Sequence, residues 1–174
     1  MKSVIFISIL SFLLVSGCTQ NQGEIPMKQL TITSTAFKQN EMIPTKYTCK
    51  GENINPDLSI EGIPKEAKSL VLIMDDPDAP KGTFVHWVMY NIDPKITEIK
   101  ENTNPGLSGE NSAGQVKYTG PCPPSGIHRY FFKVYALDFA NMPQFEISPN
   151  KTQIESFMKD HVIAKGELIG RFQA

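Results

Sequence analysis

Residues 69–92 read "SLVLIMDDPDAPKGTFVHWVMYNI", two apolar runs joined by an acidic turn that carries two prolines. The first run, "SLVLIMD" (69–75), is continuously apolar, as a strand covered on both faces should be. In the second, "TFVHWVMYNI" (83–92), strand alternation puts Phe84, His86, Val88, Tyr90 and Ile92 on one face. Val85, Trp87 and Met89 fall on the other. Both faces are apolar, so a central strand is expected. Between the runs, Pro77 and Pro80 fix φ and hold Asp75, Asp76 and Asp78 on a stiff turn. Taken alone, such a turn is most simply a solvated one, and His86 is most simply a satisfied core histidine.

Further strands are expected at "QLTITSTAF" (29–37), "HRYFFKVYALD" (128–138) and "AKGELIGRF" (164–172). The second of these lines up His128, Tyr130, Phe132, Val134 and Ala136 on one face. One helix is expected in "SPNKTQIESFMKDHVI" (148–163). Thr152 stands there as N-cap, with Glu155 three residues on as its capping-box partner. Ile154, Phe157, Met158 and His161 follow at helical spacing. His161 reads as a partly buried helix residue near the C-terminal end, not as a ligand. "KGENINPDLS" (50–59) and "ENTNPGLSGENSAGQ" (101–115) are loops by their turn chemistry. The fold class is β-rich (all-β to α+β): an antiparallel β-sandwich-like domain with short helical additions.

The chain has 174 residues, 40% hydrophobic and 20% charged, enough for one globular domain with a real core. Net charge is −1 with no basic cluster, which excludes a nucleic-acid partner that needs a cationic face. The N-terminus, "MKSVIFISILSFLLVSGC", has one early cation, an apolar stretch too short to span a bilayer, and small residues before a cysteine. Residues 1–17 therefore read as a signal peptide. The ending "LVSGC" resembles the lipobox of bacterial lipoproteins, which implies that Cys18 carries acyl chains such as palmitate. Residues 18–28 would then be the lipidated cysteine and its tether, and residues 29–174 the folded domain. This places the protein in the cell envelope, lipid-anchored at the extracytoplasmic face of a membrane. Cys49 and Cys122 stand apart with no CxxC pair, against a zinc site; sequence leaves their pairing with each other open.

A third polar cluster is "GPCPPSGIHRYFF" (120–132). A rigid Gly/Pro loop leads there into His128 and Tyr130, about 7 Å apart along one strand face. "DPDAP" with "HWVMYNI", followed by "GPCPPSGIHRYFFKVYALD", resembles the phosphatidylethanolamine-binding protein family, also called Raf-kinase-inhibitor-like, in its bacterial and archaeal branch. "IPTKYTCKGENINPDLSIEGIP" (43–64) and the closing "GELIGRF" (166–172) extend the resemblance from about Leu30 to the C-terminus. It implies a small cavity for anions such as phosphate or a phospholipid head group. The implied ligand-binding residues are Asp76, Asp78, His86, His128 and Tyr130, with backbone from Gly120 and Pro121. Near neutral pH the two histidines would donate hydrogen bonds and, when protonated, offset the ligand's charge. Asp76 would tune a neighbouring histidine. Arg129 points away from His128 and is expected to pair with Asp78, tying the two motifs together. Cysteines at the places of Cys49 and Cys122 resemble those of cytosolic members, so their presence is poor evidence for a disulfide, and Cys49–Cys122 stays only a possible one. Ile60 stands where the family often has tryptophan. Eukaryotic members continue past the last strand into a helix near the pocket mouth, so a more open pocket is expected here.

The expected function is non-enzymatic binding of a small anionic or phospholipid-like ligand, with no catalytic residue, metal or cofactor. Regulatory relatives suggest an alternative, inhibition of a protease or kinase through an exposed loop such as "PKGTF" (80–84) or "NPGLSGENSAG" (104–114). A metal- or His/Asp-dependent enzyme is a further alternative: imidazole and carboxylate suit several divalent ions, but the residues lack metal-site spacing. Relatives of this branch also suggest a homodimer.

Overall fold

The computed structural model describes residues 27–143 and 145–174; the expected signal peptide, the lipidation site Cys18 and the tether up to residue 26 lie outside the described residues. In chain order the elements are β1 (Lys28–Gln29), β2 (Thr31–Thr33), β3 (Leu58–Glu61), β4 (Ser69–Asp76), β5 (Phe84–Ile92), β6 (Glu98–Ile99), β7 (Leu107–Ser108), β8 (Ile127–Leu137), α1 (Lys151–Met158) and β9 (Val162–Gln173). Six strands form one sheet in the order β1-β9-β8-β4-β5-β7, and β2-β3-β6 form a second. Every ladder is antiparallel except the two-residue β1–β9 pairing. The β-rich, sandwich-like expectation is borne out.

The larger core lies between the sheets. Leu70, Leu72 and Met74 of β4 and Tyr130, Phe132 and Val134 of β8 meet Ile32, Leu58, Ile60 and Ile99 of the small sheet. On the outer face of the large sheet, Val71, Ile73, Val88 and Tyr90 pack under Ile154 and Met158 of α1. The central strand β4 is therefore buried along its whole length. The outer edge of β9 is covered by irregular chain: Asn40 N–H donates to Ile169 O, and Ile43 N–H and Arg171 O close the next rung at 2.7 Å. That masks an edge that would otherwise invite strand addition.

Four local expectations change. The stretch 29–37 splits into β1 and β2, which enter different sheets, and the chain leaves extended structure after Thr33. The helix cap is Asn150, not Thr152. Its side chain accepts from Gln153 N–H while the Gln153 side chain accepts from Asn150 N–H, so the capping box is formed two residues earlier. The helix ends at Met158, and His161 lies in the turn beyond it, about half exposed, with Nδ1 2.8 Å from Asp138 Oδ1. Strict alternation fails in β5. Met74 pairs with Trp87 but Asp75 with Val85, leaving His86 as an extra residue, and a second extra residue falls between Met89 and Ile92. Asn91 there has φ 53°. The bulges turn Trp87, Met89 and Ile92 toward the larger core and Val88 and Tyr90 toward α1.

The three aspartates of the turn go three ways. Asp75, 1% exposed, faces α1 and takes Lys133 Nζ at 2.8 Å and also Lys151 Nζ. Asp76 faces the opposite side. Asp78 lies at the surface, where Arg129 grips both its oxygens, Nε at 2.8 Å and Nη2 at 2.7 Å. The guanidinium holds the Asp78 carboxyl down at about 2. Replacing Asp75 with alanine strands two partly buried ammonium groups and should lower stability by about 3 kcal/mol in urea unfolding at neutral pH. Glu155→Ala, which removes a more distant carboxylate from Lys151 (3.7 Å), should leave the midpoint unchanged. For Asp78→Asn the pH window follows from the depressed pKa. The lost stability is present in full above about 4, the unfolded carboxyl value. The gap between parent and variant should therefore close as pH falls from there toward 2.

Candidate functional site

Asp76 lies at the end of β4, 3% exposed. One of its oxygens accepts the Asp78 N–H at 2.8 Å, which pins the turn. The other lies 2.7 Å from His128 Nδ1 on β8. A carboxylate can only accept, so Nδ1 carries the proton. The remaining nitrogen, Nε2, has no hydrogen-bond partner among the described residues.

His86 is fixed in the same sense by a different group. Its Nδ1–H donates to the Thr119 carbonyl at 2.7 Å, and Thr119 N–H returns a bond to His86 O at 3.0 Å. The ring sits between Phe84 (4.8 Å between centroids) and the edge of Tyr130 (5.2 Å). Burial holds the imidazolium below the usual imidazole range, outweighing the Thr119 carbonyl and the nearby Asp76 carboxylate. His86 is thus neutral at pH 7, with Nε2 as an acceptor. Of the two roles the sequence reading allowed a floor histidine, a neutral hydrogen-bonding one fits His86.

The third wall is segment 118–124, clamped to residues 47–53. Tyr118 Oη donates to Tyr47 O at 2.7 Å, Gly120 N–H to Asn53 Oδ1 at 2.7 Å, and Cys49 N–H to Pro121 O at 3.1 Å. The backbone of Tyr47 and Thr48 lies so close to Gly120 that a Cβ there would collide. Cys49 and Cys122, a possible pair that the sequence left open, are joined in a disulfide with Cα atoms 5.5 Å apart. Buried Asn111 shapes the approach, donating to Lys117 O and Thr119 Oγ1 and accepting from Ala113 and Gln115 N–H.

Together these elements enclose a cavity of about 250 Å³. Asp76, His86 and His128 form its polar floor, Phe84 and Pro123 stand among its apolar walls, and exposed Lys81 lies on its rim. Gly120 contributes backbone. Asp78, Pro121 and Tyr130 do not line it. Asp78 is engaged by Arg129, Pro121 is buried with its carbonyl on Cys49, and Tyr130 lies beneath His86. Tyr130 Oη is sealed in with no hydrogen-bond partner, and burial pushes its phenol well up. Lys81, Phe84 and Thr119 join the lining without having been expected there. Phe84 had a signal, two residues before His86 in a strand. The Thr119 carbonyl had none, because a backbone acceptor leaves no trace in residue type. His161 takes no part.

Residues 33–173 match the family model described as phosphatidylethanolamine-binding protein. A UPF0098 protein of Methanothermobacter thermautotrophicus is 44% identical over 83% of this chain and 99% of its own. One from Pyrococcus horikoshii is 42% identical over 99% of this chain and 90% of its own. Among solved structures, a phosphatidylethanolamine-binding protein homolog from Chlamydia trachomatis superposes with a TM-score of 0.80 at 39% identity, covering 84% of this chain and 99% of the other. An E. coli protein described as a new member of the mammalian family gives 0.76 at 27% identity, over 83% and 98%. The chain belongs to the phosphatidylethanolamine-binding protein family.

Proposed function

We propose that this chain is a non-enzymatic binding protein whose cavity holds a small phosphate-type anion, free or as a lipid head group. The observation that carries the reading is the pair of imidazoles on the cavity floor, each with Nδ1 committed to the protein. That commitment leaves Nε2 of each for a ligand. Neutral His86 offers an acceptor, and His128, when doubly protonated beside Asp76, offers a charged donor. The matching ligand presents one anionic oxygen and one donor. A phosphate monoester monoanion has both in its P–O⁻ and P–OH groups; a phosphodiester head group supplies the donor from its ammonium. Lys81 adds positive charge at the rim, and the apolar walls receive the organic part.

Anchoring through acylated Cys18 at the extracytoplasmic face completes the proposal. The Cys49–Cys122 bridge supports that placement, since disulfides persist in oxidising compartments. Binding rather than turnover is favoured because the tyrosine packed against His86, Tyr130, has its Oη enclosed without a hydrogen-bond partner and kept protonated by burial.

The test is an NMR titration with methyl phosphate, whose only donor is its P–OH, at several pH values. His86 and His128 resonances should move together while His161 stays still. Affinity should fall as pH rises through about 6, where the monoester loses its P–OH proton. Motion of His161 alone, or binding that tightens above that pH, would contradict the reading.

A further inference from the structure

A second hollow of about 250 Å³ lies over Trp87, between residues 53–55, the turn at 102–104, Ser108 and residues 116–118. Its floor is the indole of Trp87, 2% exposed and packed edge-on against Tyr118 at 5.5 Å. An indole N–H buried to this degree ordinarily has a partner. Among the described residues Trp87 Nε1 has none. It is not sealed in either, because the one enclosed side-chain polar atom without a partner there is Tyr130 Oη. The small accessible remnant of Trp87 therefore includes Nε1, and it opens into the hollow that the residue lines.

The polar groups above it are mostly amides and hydroxyls. Asn53 gives its Oδ1 to Gly120 N–H and keeps its Nδ2 free to donate. Asn104 Nδ2 donates to Ser108 Oγ at 2.7 Å and keeps its Oδ1 free to accept. The amide of Asn102 has no partner among the described residues, and its turn is held by Asn102 N–H on Asn55 O at 3.2 Å. No carboxylate lines the hollow, and its sole cation there is Lys117. A cation would find no counter-charge, an anion only one flexible lysine, and an apolar ligand would strand the amides. Ring hydroxyls both donate and accept without charge, which suits this mixture of amide donors, amide acceptors and one indole N–H.

We propose that this hollow binds a neutral sugar, free or as one unit of a glycan, with a ligand oxygen accepting from Trp87 Nε1. This hollow and the anion cavity share no lining residue.

Trp87 is the only tryptophan in the sequence, so one indole ¹H–¹⁵N cross-peak reports on the site. The full chain, ¹⁵N-labelled and held in detergent micelles, is titrated with glucose, N-acetylglucosamine, glycerol and inorganic phosphate. The expected result is a saturable shift of the indole peak with at least one of the two sugars, and none with glycerol or phosphate. Asn102→Gly keeps the left-handed turn (φ 52°) and removes one amide. It should weaken the sugar about fivefold, the value of one hydrogen bond. An indole peak that ignores both sugars, a shift that rises without saturation for glycerol as well, or unchanged affinity in Asn102→Gly would each overturn the proposal.

Discussion

Asp75 and Asp76 are neighbours at the buried end of β4, 1% and 3% exposed. Two carboxylates cannot leave water there without partners. Strand alternation forbids them the same one, because it aims them at opposite faces of the sheet. The rest of the molecule answers this constraint. On one side Lys133 of β8 and Lys151 of α1 converge on Asp75, which ties the helix to the sheet. On the other, His128 of β8 meets Asp76 and is thereby given its tautomer. The same strand β8 serves both acids, so the β4–β8 register and the orientation of a floor imidazole have one cause.

The site completes itself through backbone more than side chain. A bulge turns His86 toward the cavity, and the Thr119 carbonyl then dictates which of its nitrogens faces inward. Segment 118–124 can supply that carbonyl because Tyr118, Gly120 and Cys122 are each fastened to residues 47–53. Two histidines of one residue type end up with different roles. His86 is desolvated and neutral, while His128 rests on a carboxylate. That asymmetry, more than total charge, selects among anions in the proposed function.

Much of this was legible in residue order. The continuous apolar run of β4, the alternation in β8 and the final strand were readable because burial imposes a period on residue type. The family motifs marked Asp76, His86 and His128, which do meet at one cavity. What failed to show has a physical reason in each case. Bulges in β5 break the alternation on which the face assignment depended. The cap fell to Asn150 because two capping boxes overlap in this segment, Asn150 with Gln153 and Thr152 with Glu155, and residue type alone does not say which one closes. Tyr130 shares a face with His128, but His86 covers it, and no local pattern encodes which side chain lies above another. Cys49 and Cys122 were visible as residues; their approach depends on how two loops 73 positions apart are packed.

The central claim is that the cavity floor sets a neutral acceptor beside a donor that can carry charge. The tautomer of His86 tests it most directly, through two-bond ¹H–¹⁵N correlation of the imidazole at pH 7 in the ligand-free protein. A proton on Nδ1 and a bare Nε2 is the predicted result. A ring protonated on Nε2 alone, or an imidazolium at that pH, would contradict the account.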